Sequence, residues 1–219
     1  MMMVQPTSDQ LLMLEELVRE NFEEDCTGHD FYHTQRVVAL VKKLAHEESA
    51  DAVICELSAW LHDVPDHKLV ASAEIGWERV RAILFKIGLS DYFNVIQSII
   101  SEVSYKGASV ATPCTSIESS VVQDADRLDA IGAIGIARAF AYGGSKGRKL
   151  YDPSVLVELH ADFEGYKNST APTINHFYEK LLLLKDRLNT PSAKAIAIRR
   201  HLFMEQFLEQ FHEEIKGDM

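Results

Sequence analysis

No stretch of this 219-residue chain alternates convincingly between apolar and polar residues with a period of two, so half-buried β-strands are not expected. Nor do about eighteen apolar residues run together without charge, which argues against a membrane-spanning helix. Cysteine is scarce: the three present, Cys26, Cys55 and Cys114, are scattered and lack CxxC spacing. An odd, dispersed set suggests neither a disulfide framework nor a zinc knuckle, and small buried thiols in a reducing compartment are expected instead. Basic residues are outnumbered, 22 against 33 acidic, and the formal charge of -11 repels duplex nucleic acid and anionic membranes. The opening MMMVQPTSDQ has no basic stretch followed by an apolar segment, so a cytoplasmic protein is expected, with neither nucleic acid nor membrane as partner.

What the chain does have is helical periodicity. Leu11, Leu14, Leu17, Val18 and Phe22 form one apolar stripe and Val37, Val38, Val41 and Leu44 another, each at the three-and-four spacing of an amphipathic helix. The same pattern predicts helices near 51–63, 72–87, 91–103, 116–140, 153–163, 173–188 and 192–215. Gly, Pro, Asn and Ser punctuate the chain at Gly28, VPDHK, YKGASVATP, YGGSKGRKLYDP and NTPS. At 47% hydrophobic and 25% charged, the expectation is one all-α domain over 1–219, an irregular multi-helix bundle. Its motif-bearing core would lie at about 10–140, with C-terminal helices at about 153–216 packing on it. Gly132 and Gly135, among alanines, are expected to let another helix approach closely. Trp60 and Trp77 are expected in the core.

Three polar sites interrupt this pattern. GHDFYHTQRV (28–37) places His29 and His33 four apart, with Asp30 as a candidate helix cap. CELSAWLHD ends on His62 and Asp63, and Pro65 then stops the helix and leaves Asp66 and His67 in a loop. VVQDADRLDAIGAIG (121–135) carries Asp124, Asp126 and Asp129 on an apolar helix. Carboxylates on an apolar surface are costly without a positive partner, and around the first two sites Arg36 and Lys68 are the basic residues at hand. A divalent cation balances two neutral imidazoles and two carboxylates and leaves positions for water and substrate.

A histidine, then an adjacent His-Asp pair, then a distant aspartate is similar to the signature of the HD superfamily of metal-dependent phosphohydrolases. The pattern falls on His33, His62, Asp63 and Asp126, with spacings of 29 and 63 residues. HDFYHTQRV, LHDVPDHK, VVQDADRLDAIGAIGIARAF and YGG before YDP together resemble a bacterial single-domain subgroup that includes nucleoside-triphosphate pyrophosphohydrolases. The likeness runs in order over about residues 10–215. It implies an HD-domain bundle, one divalent ion and hydrolysis of a nucleotide by metal-activated water, releasing pyrophosphate. Manganese is favoured, with iron, cobalt, nickel, zinc or magnesium as alternatives. A monomer or homodimer with a small-molecule nucleotide substrate is expected.

The resemblance also distributes roles. It takes the ligand histidine from the position before xxRV, His33, which leaves His29 as a phosphate-facing candidate or a loop histidine near a cap. The ADRL frame favours Asp126 over Asp124, which helical geometry puts about 200° around the axis. Asp129 would pair with a neighbouring base. Asp66 and His67 are the candidate proton carriers, although many members of the family it resembles carry Glu where this chain has Asp66, and an exposed loop acid is the alternative. Arg36, one turn beyond His33, together with Lys68 and Lys106 would meet substrate phosphate, or Arg36 would pair with an aspartate. Lys146, Arg148 and Lys149 are weaker candidates, with Lys180, Arg199 and Arg200 beyond them. Other outcomes are a nucleoside monophosphate phosphatase, a cyclic nucleotide phosphodiesterase or a non-catalytic nucleotide sensor. A second iron site is disfavoured, because His67 is the one histidine between Asp63 and Asp126.

Overall fold

The computed structural model describes residues 4–22, 30–66, 72–105, 110–159 and 163–217. His29, His67, Lys68 and Lys106 lie outside the described residues, as do Cys26 and Gly28. The described residues contain helices and no strand: α1 Ser8–Asn21, α2 Phe31–Glu47, α3 Ala52–Leu61, α4 Ala73–Lys86, α5 Phe93–Val103, α6 Ile117–Asp129, α7 Gly132–Ser145, α8 Phe163–Asn168, α9 Thr173–Glu179 and α10 Pro191–Lys216. Short 3-10 helices cover Ser90–Tyr92 and Leu181–Arg187. The all-α expectation holds, and no described helix is long and apolar enough to cross a membrane.

Side-chain caps start many of these helices. Thr7 and Gln10 form a capping box on α1, and Asp30, Asp51, Ser72 and Thr190 accept from first-turn amides of α2, α3, α4 and α10. Each cap satisfies an amide that has no intrahelical partner, a contribution of about 1 kcal/mol.

The chain divides into two compact units, Met1–Ser104 with Thr112–Ala125, and Tyr105–Ala111 with Asp126–Met219. In the first, α2 and α3 pack along Val37, Val41 and Leu44 from one helix and Leu57 and Leu61 from the other, all fully buried. Phe31 at the start of α2 stacks on Trp60 near the end of α3, centroids 6.1 Å apart, so the two helices meet in a fixed register where their polar residues lie. Trp60 is in the core as expected, and Trp77 meets Phe93 edge to face.

In the second unit α10 packs on α7 and on the second 3-10 helix. Phe140, Phe177 and Phe207 form a triangle with centroids 5.7 to 6.0 Å apart. The 3-10 helix buries Leu181 and Leu184, which a three-residue turn aligns on one face.

Three expected helices differ. The one expected over 116–140 breaks after Asp129, and α7 starts at Gly132 with φ of 80°. A side chain there would lie 3.0 Å from Arg200 Cβ on α10, so Gly132 serves both a left-handed turn and a close helix approach. The one expected over 153–163 is not helical over 153–159. There Asn175 donates from Nδ2 to the carbonyls of Val155 and Leu156, at 3.1 and 3.2 Å, replacing helical bonds with long-range ones. The one expected over 173–188 splits at Lys180, where φ of -141° and ψ of -60° leave the helical region.

Candidate metal centre

Asp30 fixes the first ligand candidate. Its Oδ1 accepts the His33 amide at 2.8 Å, which starts α2 and places His33 three residues beyond the cap, fully buried in the first unit. His62 is the C-cap of α3. The chain then turns tightly: Val64 donates its amide to Leu61 O at 3.1 Å and Asp66 donates to Asp63 O at 3.0 Å. These bonds, with Pro65 between them, keep His62 and Asp63 at the helix end, 5% and 7% exposed.

The three side chains converge. His33 Nε2 lies 3.3 Å from Asp63 Oδ2 and His62 Nε2 lies 3.5 Å from Asp63 Oδ1. The two imidazoles are 5.3 Å apart, centroid to centroid, and inclined at 69°. One donor atom from each residue falls within 4.8 Å of the others. Donors held about 2.1 Å from one ion stand roughly 3 to 4 Å apart, so this trio suits a divalent cation.

The tautomer of His62 follows from its hydrogen bond. His62 Nδ1 lies 2.7 Å from the carbonyl of Ala59, and a carbonyl can only accept. A proton therefore sits on Nδ1, and the tautomer with Nε2 open as a lone-pair donor is the one this bond selects, with Nε2 facing Asp63. Sequence reasoning did not find Ala59, because a backbone acceptor leaves no trace in residue identity. It also missed Gly76. A Cβ at Gly76 would lie 2.6 Å from Pro65 Cα, so α4 rests directly on the turn that carries Asp63; a glycine inside the helical pattern AEIGWERV was the available signal.

Arg36 is half-buried one turn beyond His33, and Asp66 is half-buried after the turn. Asp124 is fully buried and belongs to the first unit, whereas Asp126 is half-buried on α6 and is the first residue of that helix in the second unit. Asp129 pairs with a base as expected, Arg138 at 2.9 Å. Arg200 donates to the Leu128 carbonyl, and burial pushes its guanidinium below its ordinary value against the pull of Asp129. Lys149 pairs with Asp152 at 2.7 Å, and hydrogen bonds from Lys149 and Ser154 hold the Asp152 carboxyl down at about 2. Arg148 donates to the Ser169 carbonyl. Cys55 is buried as expected, and burial pushes its thiol up to about 12.

Comparison with known proteins bears on this arrangement. The HD domain family model matches residues 30–131, which include His33, His62, Asp63 and Asp126. A solved structure from Lactobacillus plantarum is 38% identical, with a TM-score of 0.85, covering 97% of this chain and 99% of that one. An HD-superfamily hydrolase from Bacillus thuringiensis is 40% identical, with a TM-score of 0.73, covering 96% and 98%. Bacillus subtilis YpgQ, solved in complex with ADP, is 34% identical, with a TM-score of 0.75, covering 96% and 99%. The motifs, the helical fold and these relatives agree, and the chain belongs to the HD-domain family of metal-dependent phosphohydrolases.

Proposed function

We propose that this protein hydrolyses nucleoside triphosphates between the α and β phosphates, releasing pyrophosphate. The observation that carries the reading is the convergence of His33 and His62 on Asp63 within a buried 4.8 Å cluster. Asp126 is the proposed fourth ligand, and manganese the ion assigned first. When bound, that ion supplies water activation at neutral pH and charge compensation on phosphate. The residues of the chain do the rest. The Ala59 carbonyl holds the His62 ring with Nε2 toward the site. Asp66, three residues beyond Asp63 and half-buried, takes a proton from the attacking water, and His67 delivers one to the leaving oxygen. Arg36, His29, Lys68 and Lys106 meet the phosphates. YpgQ, a relative of this chain, was solved with ADP, which supports a nucleotide as the ligand class.

The test is a panel of ribo- and deoxyribonucleoside triphosphates incubated with manganese-loaded protein, with pyrophosphate and orthophosphate measured separately. Equimolar monophosphate and pyrophosphate are expected. Orthophosphate as the sole product, or nucleotide binding with no product, overturns the assignment.

A further inference from the structure

Arg19, in the last turn of α1, lies over the ring that sets the register of the helices bearing the candidate ligands. Its Cζ stands 4.0 Å from the centroid of Phe31, the residue that opens α2 and stacks on Trp60 near the end of α3. Phe31 precedes His33 by two residues, and Trp60 precedes His62 by two. All five belong to the first unit. Arg19 has a side chain 50% exposed and meets Glu15, one turn back, at 3.3 Å, and a surface pair of that kind contributes little. The contact with Phe31 is different, because a flat guanidinium matches an aromatic face.

The lever runs through α2. Residues two apart in a helix stand about 200° round its axis, so Phe31 and His33 project on nearly opposite sides, and a rotation that moves one moves the other. At the roughly 5–6 Å radius of a helix with its side chains, about 10° of rotation carries a side-chain end about 1 Å. The donors to be matched are closely set: His33 Nε2 is 3.3 Å from Asp63 Oδ2, and His62 Nε2 is 3.5 Å from Asp63 Oδ1. Metal ligation tolerates about 0.2 Å, so such a shift at His33 is felt by a bound ion. A helix is also held least firmly in its first turn, whose amides lack intrahelical acceptors, and His33 is the third residue of α2. Packing on Phe31 therefore has leverage that packing farther along the helix lacks. We propose that Arg19 is a positioning residue for the metal centre, its guanidinium holding the Phe31 ring and through it the angle at which His33 meets His62 and Asp63. This rests on the metal reading of those three residues and not on which phosphate bond is cleaved.

The sign of the effect separates this role from a bare charge effect. Removing a positive charge near a dication strengthens binding, whereas loosening a ligand weakens it. Manganese titrated calorimetrically into full-length Arg19→Ala should bind about tenfold more weakly than to the wild type, as when other outer supports of a metal site are lost. Urea unfolding of both proteins should then show a loss about 1.4 kcal/mol larger with saturating manganese than without it, the tenfold change converted; a purely structural residue costs the same in both. Arg19→Lys keeps the charge and lacks the flat face. It should weaken binding several-fold, and it decides if Arg19→Ala does not fold. In metal-free protein the NMR signals of the His33 ring should move in the variants, while those of His46, in the last turn of α2, stay. Unchanged or tighter manganese binding by the folded variants, equal unfolding losses with and without the metal, or His33 signals that stay in place overturn the proposal. If the wild type binds no manganese and the His33 signals move, the positioning stands and the metal reading falls. If all three proteins bind manganese alike and the His33 signals stay, the reverse holds.

Discussion

Gly76→Ala probes whether α4 holds the His62–Asp63 turn in position. A Cβ at this site would stand 2.6 Å from Pro65 Cα, 3.0 Å from its Cβ and 3.2 Å from its carbonyl oxygen. Carbon pairs settle at about 3.5–4.0 Å, so the helix or the turn must retreat by about 1 Å. Overpacking of this kind costs about 1–3 kcal/mol, while alanine gains about 0.5–1 kcal/mol over glycine inside a helix. With Pro65 backbone at 2.6 Å the clash outweighs the gain, leaving a net loss of up to about 2.5 kcal/mol. At about 2–4 °C per kcal/mol for a chain of this size, the melting temperature falls by up to roughly 10 °C. Pro65 is two residues from Asp63, so the displacement reaches the ligands, and metal affinity falls about 10- to 100-fold, as for other lost supports of a metal site. Gly144→Ala is the matched control: it lies on α7, and nothing comes within 4 Å of its added Cβ. It should leave stability unchanged or raise it by up to about 1 kcal/mol. The assay is thermal unfolding with and without manganese, followed by calorimetric metal titration. A Gly76→Ala protein that melts at or above the wild-type temperature and binds metal as tightly refutes the role assigned to this contact.

Saturating the wild type with manganese at a hundred times its dissociation constant should stabilise it by about 2.7 kcal/mol. His62→Ala should abolish that shift in unfolding experiments, and an undiminished shift would place the ion elsewhere. Asp129→Asn removes the carboxylate paired with Arg138 at 2.9 Å, a residue 2% exposed. It should lose about 2–4 kcal/mol by denaturant unfolding while metal titration stays unchanged; weakened metal binding would contradict a purely structural role. For Cys55 the sign follows from burial, aided by Glu118 and Asp51, raising its pKa from 9.0 to about 12. The folded protein keeps this proton where the unfolded chain has lost it, so the stabilisation is whole below the unfolded value and drains away as pH rises from there toward about 12. The stability difference between wild type and Cys55→Ala should therefore shrink by about 1.4 kcal/mol per pH unit in that alkaline window. A difference that does not move with pH, measured by urea unfolding, counts against it.

Helix identity was legible in the sequence where an apolar stripe met a cap. The α2 stripe of Val37, Val38, Val41 and Leu44 is buried, and Asp30 caps the helix as expected. Breaks were less legible, because tertiary bonds decide them. Residues 153–159 carry apolar spacing compatible with a helix, yet Asn175, about twenty residues away, takes the carbonyls of Val155 and Leu156. The break at Gly132 was visible as glycine, but its positive φ and the packing of Arg200 against it were not. Among the candidate ligands, His33, His62 and Asp63 stood out because ionisable groups on apolar helices call for a charged partner, and these three lie together. The basic residues were harder to rank. Arg200 and Lys149 spend their charge on the Leu128 carbonyl and on Asp152, contacts that composition cannot distinguish from an open loop.

The position of the His-Asp pair at the end of α3 has its own physical logic. A helix leaves its last four carbonyls without intrahelical amides. In α3 the carbonyl of Ala59 receives His62 Nδ1 at 2.7 Å and that of Leu61 receives the Val64 amide at 3.1 Å. The same unsatisfied ends that a helix must dispose of thus become the device that fixes the tautomer of one candidate ligand and the turn that carries the next. A histidine in mid-helix would find the carbonyl three residues back already engaged with an amide. Its ring would then need a side-chain partner, and that partner would be visible as a further residue type in the motif. Placing the pair at the C-terminus removes the need, which is why the His33, His62 and Asp63 cluster is legible in the sequence while its supports, a carbonyl at Ala59 and the missing side chain at Gly76, leave so little there.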